Sequence, residues 1–374
     1  MKNVVPPRLI EWLASTLLCS VIVLTLAGVT GAGELASRVP APDFRGKVWF
    51  NSPPLRLVEL RGKAVLVDFW EYTCINCIRT FPYLRRWNEL YTPDGLVIIG
   101  VHTPEFAFAN NPANVANALK RFGFTFPVVL DNDDNIWNAF HNAAWPADFL
   151  IDKEGRIAYM HIGEGDYGDT ELAIRKLLKE AKPSLDFSSP RYAIPADANA
   201  DMNALVCRRP TPETYLGFAR AANLSNPGGE DETQEVRYIA PSAVPLDDFA
   251  LAGNWKAGDE FVRHVRASSQ PEDAVELHYQ AKSVYLVAGS DDNSRKLVFV
   301  TQDGKSLPPN SRGVDVHADT SGHSYIALDR KRMYYLVNNP DFGDHTLVLS
   351  TLEPGVSLYS FTFGNNCENK FAHK

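Results

Sequence analysis

Through the first half of the chain, continuous apolar runs alternate with amphipathic stretches. Ala64–Trp70 (AVLVDFW) and Leu96–His102 (LVIIGVH) are runs of the length and kind that buried parallel strands show. Between them, Ile75–Tyr91 places Leu84, Trp87 and Tyr91 on one face at helical spacing and predicts a helix. A second helix is expected over Asn114–Phe122, introduced by Asn110, Asn111 and Pro112. Phe126–Leu130, Ala147–Ile151 and Arg156–Ile162 read as strands, with Asp152–Gly155 as the tight turn between the last two. Thr170–Ala181 closes the unit as an amphipathic helix before Pro183. Residues 38–182 therefore predict an α/β sandwich around a mixed sheet.

The pattern then changes. Pro183, Pro190, Pro195, Pro210 and Pro212 spread through polar residues and mark 183–212 as a linker. Beyond it, Val275–Ala281, Val284–Val287, Leu297–Thr301, Ser324–Leu328, Met333–Val337, Thr346–Ser350 and Ser357–Phe363 alternate with turn residues. Short strands with almost no helical periodicity predict an antiparallel β-sandwich over residues 213–374.

Composition sharpens this picture. A length of 374 residues favours two or three domains, and 45% hydrophobic with 22% charged residues is an ordinary globular balance. The net charge of −8 argues against a nucleic-acid partner. Lys2 and Arg8 precede an uncharged run from Trp12 to Gly33. Residues 1–33 thus read as a signal peptide cleaved after Ala32 or Gly33, or as an inner-membrane anchor, since the run is long enough to span a bilayer. Either way the working protein is exported, to the periplasm or an equivalent space where disulfides matter. Of the five cysteines, Cys19 is apolar filler in that run, and five are too few for a disulfide scaffold.

The chemistry concentrates in residues 65–77, VLVDFWEYTCINC. A strand ends near Trp70, and Cys74 falls where the next helix should begin. Two cysteines separated by two residues at a helix N-terminus can close a small disulfide ring. Unpaired backbone N–H groups and the helix dipole there favour thiolate. Cys74 is then the exposed nucleophile and Cys77 the resolving thiol. Half of a zinc site is an alternative, although a second CxxC is missing from the sequence. A purely structural disulfide is another, although so small a ring restrains the unfolded chain weakly.

These residues resemble the thioredoxin superfamily, and 38–182 look most like its periplasmic TlpA and DipZ-type branch. Asp68-Phe69-Trp70 stands six residues ahead of Cys74, Pro82 five after Cys77, and Pro146 opens the WPADFLID stretch. The resemblance implies that Asp68 is a buried acid and Pro146 a cis-proline facing the dithiol. It also implies a redox-active Cys74–Cys77 disulfide with no other cofactor and no metal. Asp68 shares a strand side with Leu66 and Trp70, so its pKa should be raised, and it could take the Cys77 proton. A hydrogen-bonded strand-end Asp and a trans proline are the plainer readings of Asp68 and Pro146. Trp70, Tyr72 and Trp145 are candidate substrate-binding residues, with packing as the alternative for the aromatic side chains. Glu71 and Asp68 should oppose thiolate formation and Arg79 favour it. Loops HTPEFAF (102–108) and GEGDY (163–167) also look DipZ-like, and Glu105 and Glu164 there are substrate-facing or capping residues.

Segments TYLGFARA (214–221), LAGNW (251–255), HYQAKSVYLVA (278–288) and HTLVLSTLEPGVSLYSFTFG (345–364) resemble the C-terminal β-domain of DipZ-like proteins, which has a carbohydrate-binding-module-like sandwich fold. Trp255, Tyr334 and Tyr335 could form a glycan platform, against a protein-docking role for the domain. Cys207 and Cys367 flank it, and either pair as its staple or stay as free buried thiols. The expectation is an exported thiol–disulfide oxidoreductase exchanging disulfides with protein substrates, in cytochrome c biogenesis or redox homeostasis. A separate redox partner, such as a membrane electron carrier, would serve it. The alternatives are a thiol peroxidase, for which Glu71 stands where Thr or Ser is wanted, or a metal-handling or glycan-binding module.

Overall fold

The computed structural model describes residues 33–195, 209–229, 234–268 and 273–365. Cys19, Cys207, Cys367 and the uncharged run up to Ala32 lie outside these. Among the described residues no helix is long and apolar enough to cross a membrane.

The first unit runs β1 (Gly33–Pro40), β2 (Trp49–Phe50), β3 (Ala64–Trp70), α1 (Ile75–Tyr91), β4 (Leu96–His102), α2 (Pro112–Phe122), β5 (Val128–Leu130), α3 (Asn135–Ala139), β6 (Ala147–Ile151), β7 (Arg156–Ile162) and α4 (Tyr167–Ala181). Its sheet has the order β1-β7-β6-β3-β4-β5-β2. Strands β3, β4 and β5 are mutually parallel and the other pairings antiparallel. Both faces are covered, which is why β3 and β4 read as unbroken apolar runs. Leu66, Trp70, Ile98 and Leu150 pack with α1, α2 and α4, while Val65, Val67, Phe69 and Ile99 pack with Phe44, Leu57, Ile136 and Phe140.

The expected strands 64–70, 96–102, 147–151 and 156–162 and the helix 75–91 match in both bounds. Helix α2 starts two residues earlier than expected because the Asn111 side chain accepts the Ala113 N–H at 2.9 Å, with Pro112 in the first turn. Helix α4 begins at Tyr167 rather than Thr170, and β5 at Val128 rather than Phe126. Strands β1 and β2 and the short α3 had no periodic signal.

The second unit contains β8 (Thr214–Tyr215), β9 (Val236–Tyr238), β10 (Phe249–Ala257), β11 (Val262–His264), β12 (Ala274–Ser290), β13 (Lys296–Gln302), β14 (Lys305–Ser306), β15 (Val316–Ala318), β16 (Ser324–Leu328), β17 (Arg332–Ser350) and β18 (Val356–Gly364). Every pairing between these strands is antiparallel. The expected strand pairs 275–281/284–287 and 333–337/346–350 are instead two long bent strands, β12 and β17. Register shifts at Ala281/Ser283 turn β12 from β10 on one side toward β18 on the other. Within β17 the polar stretch Asn338–Asp344 spans the bend, where Asn338 pairs with Ser283 and Gly343 and Asp344 pair with Ala281 and Gln280 of β12.

Trp255 and Tyr334 are core residues, 1% and 0% exposed, which corrects the glycan-platform expectation for both. The Trp255 indole N–H donates to Ala252 O at 2.7 Å, and the Tyr334 hydroxyl donates to Arg330 O at 2.8 Å. Tyr335 is half-buried and meets Tyr285 edge-on.

This β unit packs against the first unit beside the start of α1. Ile75 and Phe106 join Tyr285, Val287, Met333 and Tyr359 in one apolar cluster. Each such side chain, fully buried, contributes roughly 1.5–3 kcal/mol. At the rim, Glu105 accepts from the Tyr215 hydroxyl (2.7 Å) and Arg220 (3.0 Å), and Glu260 accepts the Ala107 N–H at 2.9 Å. Glu105, expected to face substrate or cap backbone, thus belongs to this interface.

Candidate active site

Strand β3 delivers Trp70 to the sheet edge, and the loop Glu71–Thr73 carries the chain to Cys74, the N-cap of α1. That loop is braced from within. Glu71 is wholly buried, and its Oε2 accepts both the Thr73 N–H, at 2.5 Å, and the Thr73 hydroxyl. Its Oε1 lies 3.7 Å from His102 Nε2, also buried. The Cys74 N–H donates to Glu71 O at 3.4 Å, so the turn holds Cys74 at the helix end.

Cys74 is half-buried and Cys77 fully buried, both as free thiols. The Cys77 N–H donates to the Cys74 sulfur at 3.2 Å. The positive end of the α1 dipole faces the same atom. Burial, and then the neighbouring Cys74 sulfur, push the Cys77 thiol well up. One sulfur is thus accessible and presented to a donor, and the other is buried one turn further along α1.

Beneath Cys77, Asp68 is 0% exposed and sits in antiparallel register with Asp148 of β6, which is 2% exposed. Register partners share a sheet face. Among the described residues, neither Asp68 oxygen nor Oδ1 of Asp148 has an N–H or hydroxyl donor. Two facing buried carboxyls are tolerable only when they hold a proton between them. Burial first, then the Asp148 charge, raises Asp68 well above the usual carboxylate range, and burial lifts Asp148 to about 7. His161 follows in the same register row on β7, buried, with burial lowering its pKa.

The Trp145–Pro146 peptide is cis, and Pro146 O accepts the Gly163 N–H at 2.8 Å. Trp145 is half-buried and tilted over Trp137. Trp70 does not wall the substrate side as expected. It is 0% exposed, its ring enclosed by Phe81, His102 and Phe124. Tyr72 is 4% exposed and stacked on His102. Arg79, expected as a counter-charge to the thiols, pairs with Glu164 at 2.9 Å and reaches the Tyr285 hydroxyl of the β unit. Pro82 lies inside α1.

The sequence reading missed Asp148, the Glu71–Thr73 brace and the cover over Ile75. Asp148 had one signal, a charge two residues beyond Pro146 inside an otherwise apolar strand. Its register against Asp68 was not legible. Chemically, the arrangement can form a mixed disulfide at Cys74, resolve it through Cys77, and take the Cys77 proton onto the acid pair.

Comparison with known proteins agrees with this geometry. Residues 37–177 match the Redoxin family, and residues 211–364 match the family described as Thioredoxin like C-terminal domain. Protein DipZ of Mycobacterium tuberculosis (strain CDC 1551 / Oshkosh) is 36% identical over 341 residues, covering 89% of this chain, which spans 44% of the DipZ length. The thiol-disulfide oxidoreductase ResA of Geobacillus thermodenitrificans (strain NG80-2) is 34% identical over 128 residues, 34% of this chain and 68% of ResA. A thioredoxin-like protein solved in its oxidised form in solution is 27% identical, with a TM-score of 0.36, covering 38% of this chain and 97% of its own. With its thioredoxin-like unit and its 34% identity to ResA over 68% of that protein, the chain belongs to the thioredoxin-like thiol–disulfide oxidoreductases.

Proposed function

We propose that this chain is an exported oxidoreductase that exchanges disulfides with polypeptide substrates through Cys74 and Cys77. The carrying observation is the division of labour at α1: Cys74, half-exposed, caps the helix, and Cys77 is enclosed above the Asp68–Asp148 pair. In the reducing direction, the Cys74 thiolate attacks one sulfur of a substrate disulfide, forming a mixed disulfide and releasing the other as a thiolate. The acid pair accepts the Cys77 proton. Cys77 then attacks the Cys74 sulfur, closing the Cys74–Cys77 disulfide and releasing the second substrate thiolate. Two electrons pass from dithiol to substrate, and the reverse sequence oxidises a substrate dithiol.

Trp145 and Pro146 border the substrate side, and a separate electron carrier in or at the membrane resets the dithiol. The uncharged run of residues 12–33 supports export. The test is trapping with Cys77→Ala. Adducts held on Cys74 and released by reductant are expected, with none on Cys74→Ala. Exchange at the wild-type rate by Cys74→Ala would overturn the reading.

A further inference from the structure

A cleft of about 310 Å³ opens between α2 and the turn joining β16 to β17, with Tyr72, two residues before Cys74, in its lining. Its charged lining is Arg121, Arg330, Lys331 and Arg332 against Asp315 and Asp329, four positive to two negative. Arg330 pairs with Asp329 (3.2 Å) and Lys331 with Asp291 (3.7 Å), so with Asp291 counted the local excess is one positive charge, on a chain whose net charge is −8. A field of that sign in a concave site concentrates anions.

The cations differ in how they are held. Arg332 is fixed in the wall, 2.9 Å from Asp315 and 3.6 Å from Asp329, over the Tyr334 ring. Asp315 is itself held by the Tyr335 N–H at 2.9 Å. Arg121 stands at the opposite, α2 rim and forms no ion pair among the described residues, and desolvation with the charge of Arg332 lowers its pKa. Tyr72 lines the cleft, 4% exposed, and among the described residues its hydroxyl makes no hydrogen bond of good geometry, with the Asn114 side chain of α2 beside it. A fixed guanidinium, a free one opposite and a buried hydroxyl together match a carboxylate, which accepts from several donors at once.

We propose that this cleft is a subsite for a carboxylate carried by the thiol or disulfide substrate, an acidic side chain near the reacting cysteine of a polypeptide. The assignment rests on the oxidoreductase reading above, because Tyr72 is what ties cleft to dithiol. Tyr72 is two residues from Cys74, a span of at most about 7 Å of chain. The subsite requires that an acid within a few residues of the substrate cysteine reach Arg121 and Arg332 while its sulfur meets Cys74, and the peptide series below reads that spacing.

The test is single-turnover oxidation of the pre-reduced full chain by disulfide-bonded peptides with Glu, Gln or Lys at successive positions around the cysteine. The Glu peptide is expected to react about tenfold faster than Gln at one or two of these positions, which is about 1.4 kcal/mol. Lys should be slower still, and 0.5 M salt should shrink the ratio. Arg121→Gln should abolish the Glu preference, while Lys305→Gln, exposed at the start of β14, should keep it. Equal rates for Glu and Gln, or a preference untouched by Arg121→Gln, would overturn the subsite.

A Ser-for-Cys Glu peptide, followed by titration calorimetry, reads the cleft without exchange. Binding lost in Arg121→Gln supports the subsite even if no peptide is oxidised, an outcome that instead overturns the oxidoreductase reading. The anionic 5,5′-dithiobis(2-nitrobenzoate) against neutral 4,4′-dithiodipyridine tests a small acid as the source. Arg121 dependence there without any peptide preference would overturn the polypeptide assignment.

Discussion

Replacing Asp148 by Asn should make the protein less sensitive to alkaline pH, and the structure sets the size of the effect. Asp148 faces Asp68 across β3 and β6, on the sheet face that also carries Cys77, His161 and Tyr159. Its pKa is raised from the ordinary 3.8 to about 7, which corresponds to about 4 kcal/mol. A carboxyl with a higher pKa folded than unfolded binds its proton more tightly in the folded state. It therefore favours folding at low pH, and that contribution declines as pH rises from about 4 through 7. Wild type should lose about 1–3 kcal/mol between pH 5 and pH 8 relative to Asp148→Asn, after allowance for relaxation around the pair. Asparagine keeps the shape, donates to Asp68 and cannot become a second buried anion. Urea midpoints and slopes of the reduced chain at both pH values measure this. The same pH dependence in wild type and variant would refute the shared-proton argument, as would a variant destabilised equally at pH 5 and pH 8.

Other expected outcomes follow from single contacts. Ile75→Ala opens a cavity beneath Tyr285, Val287, Met333 and Tyr359, and should cost about 2–4 kcal/mol in urea unfolding while speeding iodoacetamide alkylation of Cys74. Thr73→Val removes the hydroxyl that donates to Glu71, and should cost about 1–2 kcal/mol and slow single-turnover exchange as Cys74 loses its fixed position. Glu171, 0% exposed, accepts from Trp87 Nε1 (3.1 Å), the Tyr91 hydroxyl (2.6 Å) and Arg175 (2.5 Å). Glu171→Ala leaves the Trp87 and Tyr91 donors buried and without an acceptor and removes the counter-charge of Arg175, with an expected loss of about 3–5 kcal/mol by thermal or urea unfolding.

Much of the first unit was legible because its determinants are local. The unbroken apolar runs of β3 and β4 report burial on both faces, and the Leu84/Trp87/Tyr91 spacing reports α1. The two-residue gap between Cys74 and Cys77 puts both thiols on the first turn of that helix. Elements without such periodicity were not legible, namely β1, β2 and α3. The bends of β12 and β17 also escaped, because the register shifts that make them are set by pairing with β10 and β18 and not by the local pattern.

The sequence by itself thus determined the α1 dithiol, the candidate acid Asp68, Pro146 and the succession of an α/β unit and a β unit. Each is a property of neighbouring residues or of a short repeat. Tertiary structure alone decided which carboxyl faces Asp68, that Trp70 is enclosed, that Ile75 lies under the β unit, and that Arg121 and Arg332 share a cleft. Those relations join residues far apart in the chain, and they are set by strand register and interface packing, which local pattern does not encode.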